Sequence, residues 1–258
     1  AMLLRAYTEM YQMTQDPFYA EVARGIGDYV LASLTDPEGG FYSAEDADSL
    51  EPAGGPVSES GRVPAHPHKK EGAFYVWRAD EMRALLTDKE FKAAELSWGV
   101  VSGGNVGPDR DPQKEFTGVN ILKLARTPLE TARELEVPEQ EVKGLLDSAK
   151  RKLFTARAGR PRPHLDDKVL ADWNGLMIAQ LAFASQVFNE PRYLAAAEKA
   201  AEFVLARMTG EGGRFLHRYR AGEAGIPAQL DDTAFMVHAL IELYQATGRE
   251  KSLGLAVA

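Results

Sequence analysis

The side chains best suited to acid–base chemistry lie in two short segments. Glu45, Asp46 and Asp48 fall in FYSAEDADS, while Asp166, Asp167 and Asp172 fall in LDDKVLADWNG beside Lys168, Trp173 and Asn174. Two carboxylates flanking a glycosidic bond act as acid and base, and their separation decides the stereochemical outcome. Aromatic faces stack on pyranose rings, and Tyr75, Trp77 and Trp173 offer such faces. Glu45, Asp46, Asp48 and Asp167 are therefore the candidate catalytic groups. Tyr75, Trp77, Asn120, Asp166, Lys168, Trp173, Asn174 and Asp232 are the candidate substrate-binding groups. Plainer readings compete. An acidic turn caps its own backbone, and Trp173 and Asn174 also suit packing between neighbouring hairpins. Asp172 and Asp231 read as helix N-caps, a position that favours aspartate.

Other chemistries find less support. An epimerase abstracts a proton beside a carbonyl, for which imidazole is suited near neutral pH. The five histidines are His66 and His68 in a Pro-rich loop, His164 before the second acidic segment, His217 on a strand and His238 on an apolar helix. No two occupy matched positions in the repeat described below, which weakens that reading. There are no cysteines, so thiol catalysis and thiolate-bound metals are excluded. The EDAD cluster lacks the spacing and glycine of an EF-hand, and no metal is expected. The glycine pairs at 39–40 and 212–213 read as turns, with no dinucleotide or P-loop pattern, and no cofactor is expected. The arginines from Arg157 to Arg162 read first as a solvated connector and second as an anion site.

Composition narrows the partners. The 258 residues are 45% hydrophobic and 26% charged, with a formal net charge of -8. That balance suits a globular core and disfavours nucleic acid, whose binders present a basic field. No stretch approaches the ~20 apolar residues of a membrane span. The absence of cysteine fits a reducing compartment, and a cytoplasmic protein is expected; no signal peptide is visible, which means little in a sequence that reads as a fragment.

Helical spacing of apolar residues predicts helices over residues 2–14 and 17–34, 79–86 and 88–98, from Pro138 to Leu153, and over 176–188, 192–208 and 232–247. Phe41 to Ser43 and GAFYVW (72–77) read as strands that pair. Residues 51–70 and 101–120 read as loops. Sliding the chain by 59 residues lays Asp172 on Asp231 and Leu194 on Leu253. Sliding by 174 lays Pro17 on Pro191 and Tyr19 on Tyr193. The unit is an apolar helix, an amphipathic helix, a glycine pair and a short strand. Apolar-all-round helices must be buried. The expected fold is thus all-α: an incomplete (α/α) toroid or barrel of helical hairpins with short β hairpins, one partial domain over 1–258. Apolar helices line its inside and the acidic segments open onto its centre. The chain starts and stops inside helical patterns, so it reads as a fragment that self-associates when expressed alone.

At GGFYSAEDADS, EGAFYVW, the loop ending in GVNIL, and LDDKVLADWNGLMI, the chain resembles the YyaL-like family, also called spermatogenesis-associated thioredoxin-domain proteins. The resemblance implies a six-hairpin glycosidase-like (α/α) domain related to sugar 2-epimerases. It also implies an N-terminal thioredoxin-like domain, absent from this sequence, as a partner. Two functions follow as expectations. One is a carbohydrate-binding or carbohydrate-modifying pocket, hydrolase or isomerase, taking a sugar or glycan. The other is a non-catalytic module that assists the thioredoxin-like domain.

Overall fold

The structure, a computed structural model, describes residues 1–51 and 69–257. The elements in order are α1 (Met2–Thr14), α2 (Pro17–Ser33), β1 (Tyr42–Glu45), β2 (Asp48–Leu50), β3 (Lys69–Glu71), α3 (Ala79–Leu85), α4 (Asp88–Trp98), α5 (Pro128–Leu135), α6 (Glu139–Ala158), β4 (Leu165–Leu170), α7 (Ala171–Phe188), α8 (Pro191–Arg207), β5 (Leu216–Arg220), β6 (Glu223–Pro227), α9 (Leu230–Thr247) and α10 (Glu250–Val257). They fall into two compact units, Ala1–Ala44 with Leu165–Ala258, and Glu45–His164.

The first unit is built of helical hairpins, α1 with α2, α7 with α8, and α9 with α10. The leading helix of each hairpin stands beside its counterparts, α7 packing on both α1 and α9. This is the wall of an (α/α) fold, and it follows from side-chain distribution. The helix α7 is apolar around its circumference and buries eleven of its residues, among them Ile178, Leu181 and Phe188. The helix α8 buries one stripe, including Tyr193, Ala197, Ala200 and Val204, and turns its charges outward. Pro17 and Pro191 each occupy the first turn of a trailing helix, where a missing N–H costs nothing.

The repeat is literal. Helices α7 and α9 have 18 residues each and begin 59 residues apart, at Ala171 and Leu230. Helices α8 and α10 begin at Pro191 and Glu250, the same step. Helices α2 and α8 have 17 residues each and begin 174 apart. Even the isolated bridges Thr35–Phe41 and Thr209–Phe215 recur at that interval.

A four-stranded sheet, ordered β1-β4-β5-β6, closes one end of the leading helices. Val169 lies opposite Tyr219 and Leu170 opposite Arg218 across the antiparallel β4–β5 pair. The expected pairing of Phe41 to Ser43 with residues 72–77 does not form. Gly72 has φ +66°, and its carbonyl accepts from the N–H groups of Tyr75 and Val76, so the segment coils into a turn. Strand β3 ends at Glu71 and pairs with β2. The expected loop at 51–70 lies, for 52–68, outside the described residues.

The second unit packs α3, α4, α5 and α6 around two apolar clusters. One holds Trp77, Met82, Phe91 and Leu153, the other Ala93, Ala132, Val142 and Leu146. Helix α4 is tied to α6 through Glu90, which is 5% exposed. Its carboxylate accepts from Lys152 at 2.6 Å, Ser148 at 2.7 Å and the Thr87 N–H at 2.8 Å. The Lys152 ammonium and then the Ser148 hydroxyl hold the Glu90 carboxyl down to about 2. A carboxyl depressed in the folded state contributes stability above its unfolded value and loses it as pH falls toward the folded one. Acid should therefore weaken this unit progressively from pH 4.5 towards about 2. Glu90→Gln should cost about 1–3 kcal/mol at neutral pH and flatten that acid limb. Denaturant titrations at a series of pH values would show both effects.

Candidate active site

Three segments of the first unit converge: strand β5 brings His217, the first turn of α9 brings Asp232 and the first turn of α7 brings Asp172. Strand β4 carries Asp166, Asp167 and Lys168. Asp232 is the fixed point, 1% exposed. One carboxylate oxygen lies 2.8 Å from His217 Nδ1 and accepts from the Asp172 N–H at 3.1 Å. The other accepts from the Gln229 N–H at 2.8 Å. A carboxylate engaged by backbone donors takes a donor from the imidazole, so Nδ1 carries the proton. The lone pair of the neutral ring then lies on Nε2.

Asp172, His217 and Asp232 each offer a ligand atom within 4.8 Å of the others, so these three are the residues that would hold a cation if one were bound. The Asp172 carboxylate accepts from the Trp173 N–H at 2.7 Å. Trp173 is 51% exposed and forms part of a cavity of about 390 Å³ with Met2, Tyr29, Phe41, Tyr42 and Met177. Burial and a hydrogen bond to Asp36 push the Tyr42 hydroxyl up to about 12, and the charge of Asp167 adds to the shift. Arg220 pairs with Asp167 at 2.6 Å and Lys168 with Asp166 at 2.8 Å. The Lys168 ammonium holds the Asp166 carboxyl below the ordinary range.

Two expectations about these residues are corrected. Asp172 and Asp231 do not cap their helices. The N-cap of α7 is Leu170, and α9 is capped by Gln229 in a box closed by Asp232 at the third position. Asp232 thus belongs to the interior rather than to a ligand-facing wall. Asn174 is likewise structural, since it is 1% exposed and clamps the chain at Phe41. It accepts from the Phe41 N–H at 2.7 Å and donates to the carbonyls of Phe41 and Leu170 at 3.0 and 2.8 Å.

Glu45, Asp46, Asp48, Tyr75, Trp77 and Asn120 belong to the second unit. Glu45 accepts from the Tyr75 hydroxyl at 2.7 Å and from Arg162 at 3.0 Å. Asp46 accepts from the Asp48 N–H and pairs with Lys69 at 3.6 Å, and the backbone bond is the main cause of its lowered pKa. Asp48 is exposed on β2 opposite Glu71. Trp77 and Asn120 are core residues, 2% and 0% exposed, joined by a backbone bridge. The Asn120 amide donates to the Trp77 carbonyl and accepts from the Val101 N–H. Burial removes both from the surface that a sugar would touch.

His217, which the sequence places only as a histidine on a strand, is the imidazole brought against Asp232. The available signal was a histidine on the strand leading into a repeat helix that opens with two aspartates.

No family model matches the chain. Among curated proteins, human spermatogenesis-associated protein 20 is 37% identical over 96% of this chain, and the mouse protein of that name is 36% identical over the same share. An uncharacterized protein of Caenorhabditis elegans is 34% identical over the whole chain. The cellobiose 2-epimerase of Bacillus thermoamylovorans B4167 aligns with 90% of this chain and 53% of its own. Its TM-score is 0.34 and its identity 13%, a likeness too slight to carry an argument. The matched segment is 32% of the human relative's length and 36% of the nematode protein's. The chain is thus a homologue of spermatogenesis-associated protein 20, spanning about a third of the length of those relatives.

Proposed function

We propose that the first unit carries an acid–base site that moves a proton beside the carbonyl of a reducing sugar, as an isomerase or epimerase does. The observation that supports it is the 2.8 Å contact between His217 Nδ1 and the buried Asp232. Asp232 fixes the ring and its tautomer, and Nε2 is left as the basic atom. With Nε2 as the basic atom, one ring can take the proton and later return it. The half-exposed Trp173, next to Asp172, offers the apolar face on which a pyranose ring stacks. Asp172 stands within reach of His217 as a second proton carrier or hydroxyl ligand. The glycoside-hydrolase alternative draws on Asp167, which is engaged by Arg220 in the salt bridge above, and the histidine site is the better supported of the two.

The test is a panel of reducing monosaccharides and disaccharides incubated with the protein and followed by NMR. At least one should give an isomer or an epimer. Trp173→Ala should raise KM about tenfold, the equivalent of ~1.4 kcal/mol of lost stacking, with a smaller effect on kcat. Cleavage of glycosides with reducing sugars left untouched would overturn the reading, as would no reaction with any of them.

A further inference from the structure

A second site lies wholly within the Glu45–His164 unit. Helix α6 and residues 122–124 bound a groove of about 750 Å³. Ligand pockets commonly hold about 300–1,000 Å³. Its floor is apolar, made by Trp77, Trp98, Leu122 and Leu153. Phe154 and Leu124 border it and are 65% and 61% exposed, unusual for side chains of that size.

Its charged residues are all of one sign. Lys123, Lys150, Arg151 and Arg157 line the groove, and among the described residues no carboxylate does, in a chain whose formal net charge is -8. Arg157 differs most from a solvated arginine. Its guanidinium carbon lies 5.3 Å from the ring centre of Tyr75, 5.5 Å from Phe154 and 5.6 Å from Phe74. Among the described residues no carboxylate forms an ion pair with it. Its neighbours differ: Arg160 is paired with Glu81 at 2.7 Å and Arg162 with Glu45 at 3.0 Å. Burial lowers the Arg157 pKa from its ordinary value. Arg160 is no solvated connector either, since it is 8% exposed, lies 3.9 Å over Trp77 and donates to the carbonyls of Phe74 and Val76. The basic segment thus splits into the buried Arg160, the exposed Arg162 paired with Glu45, and Arg157, held among rings and without an ion pair among the described residues.

The geometry points to a binding site for a small amphipathic anion, with an apolar chain or ring on Trp98, Leu124 and Phe154 above the buried Trp77 and a carboxylate or phosphate head at Arg157. Desolvated cations attract an anion more strongly than solvated ones, and guanidinium suits planar carboxylate and phosphate recognition. Lys150 and Arg151 supply longer-range attraction. This inference is independent of the His217 site.

Dodecanoate below its micellar range is the probe, and dodecanol is its neutral counterpart. Two of the three tryptophans, Trp77 and Trp98, lie in the groove, so fluorescence in a Trp173→Phe background reports occupancy. Dodecanoate should bind saturably and about tenfold more tightly than dodecanol, as one charge-assisted hydrogen bond of ~1.5 kcal/mol predicts. Arg157→Gln should erase that preference while leaving dodecanol binding unchanged. Phe154→Glu, a change at an exposed position, should abolish both while the thermal melt stays intact. Equal affinity for acid and alcohol, no saturable binding, or undiminished dodecanoate binding in Arg157→Gln would each overturn the assignment. A response confined to acidic amphipathic peptides would also overturn it, making the groove a protein-docking face.

Discussion

Gly175→Ala should destabilise the first unit by about 3 kcal/mol or more, although alanine is the better helix former by about 1 kcal/mol. The reason is the closeness of α7 to α9. A methyl group at position 175 would sit 2.6 Å from the carbonyl carbon of Phe235 and 2.8 Å from the nitrogen of Met236. Both atoms are backbone in the interior of α9, so no rotamer change relieves the clash and the helices must separate. Gly144 supplies the control. It lies within α6, and nothing stands within 4 Å of its would-be side chain. Gly144→Ala should therefore stabilise by about 0.5–1 kcal/mol. Opposite signs for one chemical change, read from denaturant midpoints, would confirm the packing of the leading helices. A stabilising Gly175→Ala would refute it.

The second large effect concerns Asp232. Asp232→Asn keeps the size of the side chain but replaces one carboxylate oxygen with a donor. The amide can no longer accept on both sides from Gln229, Asp172 and His217. The imidazole loses its fixed tautomer, and kcat should fall by about 10²–10⁴, the range by which a positioned acid–base group contributes. Because Asp232 is 1% exposed, the variant also loses stability. His217→Gln is the cleaner companion, since His217 is partly exposed and its loss should remove activity with little change in the melt. If Asp232→Asn lowered stability but left kcat intact, Asp232 would be a cap and nothing more.

Most helix positions were legible because burial imposes periodicity, and the 59- and 174-residue steps relate the starts of α2, α7, α8, α9 and α10, but α5 had no expected counterpart and α7 starts at Ala171, five residues before the expected 176. Strand pairing was less legible. GAFYVW has strand composition, but Gly72 at positive φ coils it, and Phe74 and Trp77 are buried. The candidate site was half legible. Asp172 and Asp232, from the first turns of α7 and α9, lie together with His217, whereas Asp166 and Asp167 pair with Lys168 and Arg220. What the sequence hid was how the carboxylates divide the work. Asp232 accepts three bonds from three separated segments, and no local spacing encodes that convergence. Local preference put the caps at Asp172 and Asp231, whereas the turn before α9 supplies Gln229 as the cap and draws Asp232 inward. Asn120 and Asn174 looked like sugar-binding amides, yet buried backbone groups at Trp77, Val101 and Phe41 claimed them, because an unpaired buried N–H costs more than a surface contact returns.

The most direct measurement is solvent isotope uptake. The protein is incubated in D₂O with each reducing sugar of the panel, and deuterium at the carbon beside the anomeric centre is followed by NMR. Wild type should incorporate deuterium there, and His217→Gln, folded to the same extent, should not. Conversion without incorporation, or incorporation undiminished in His217→Gln, would contradict proton transfer by the imidazole that Asp232 holds.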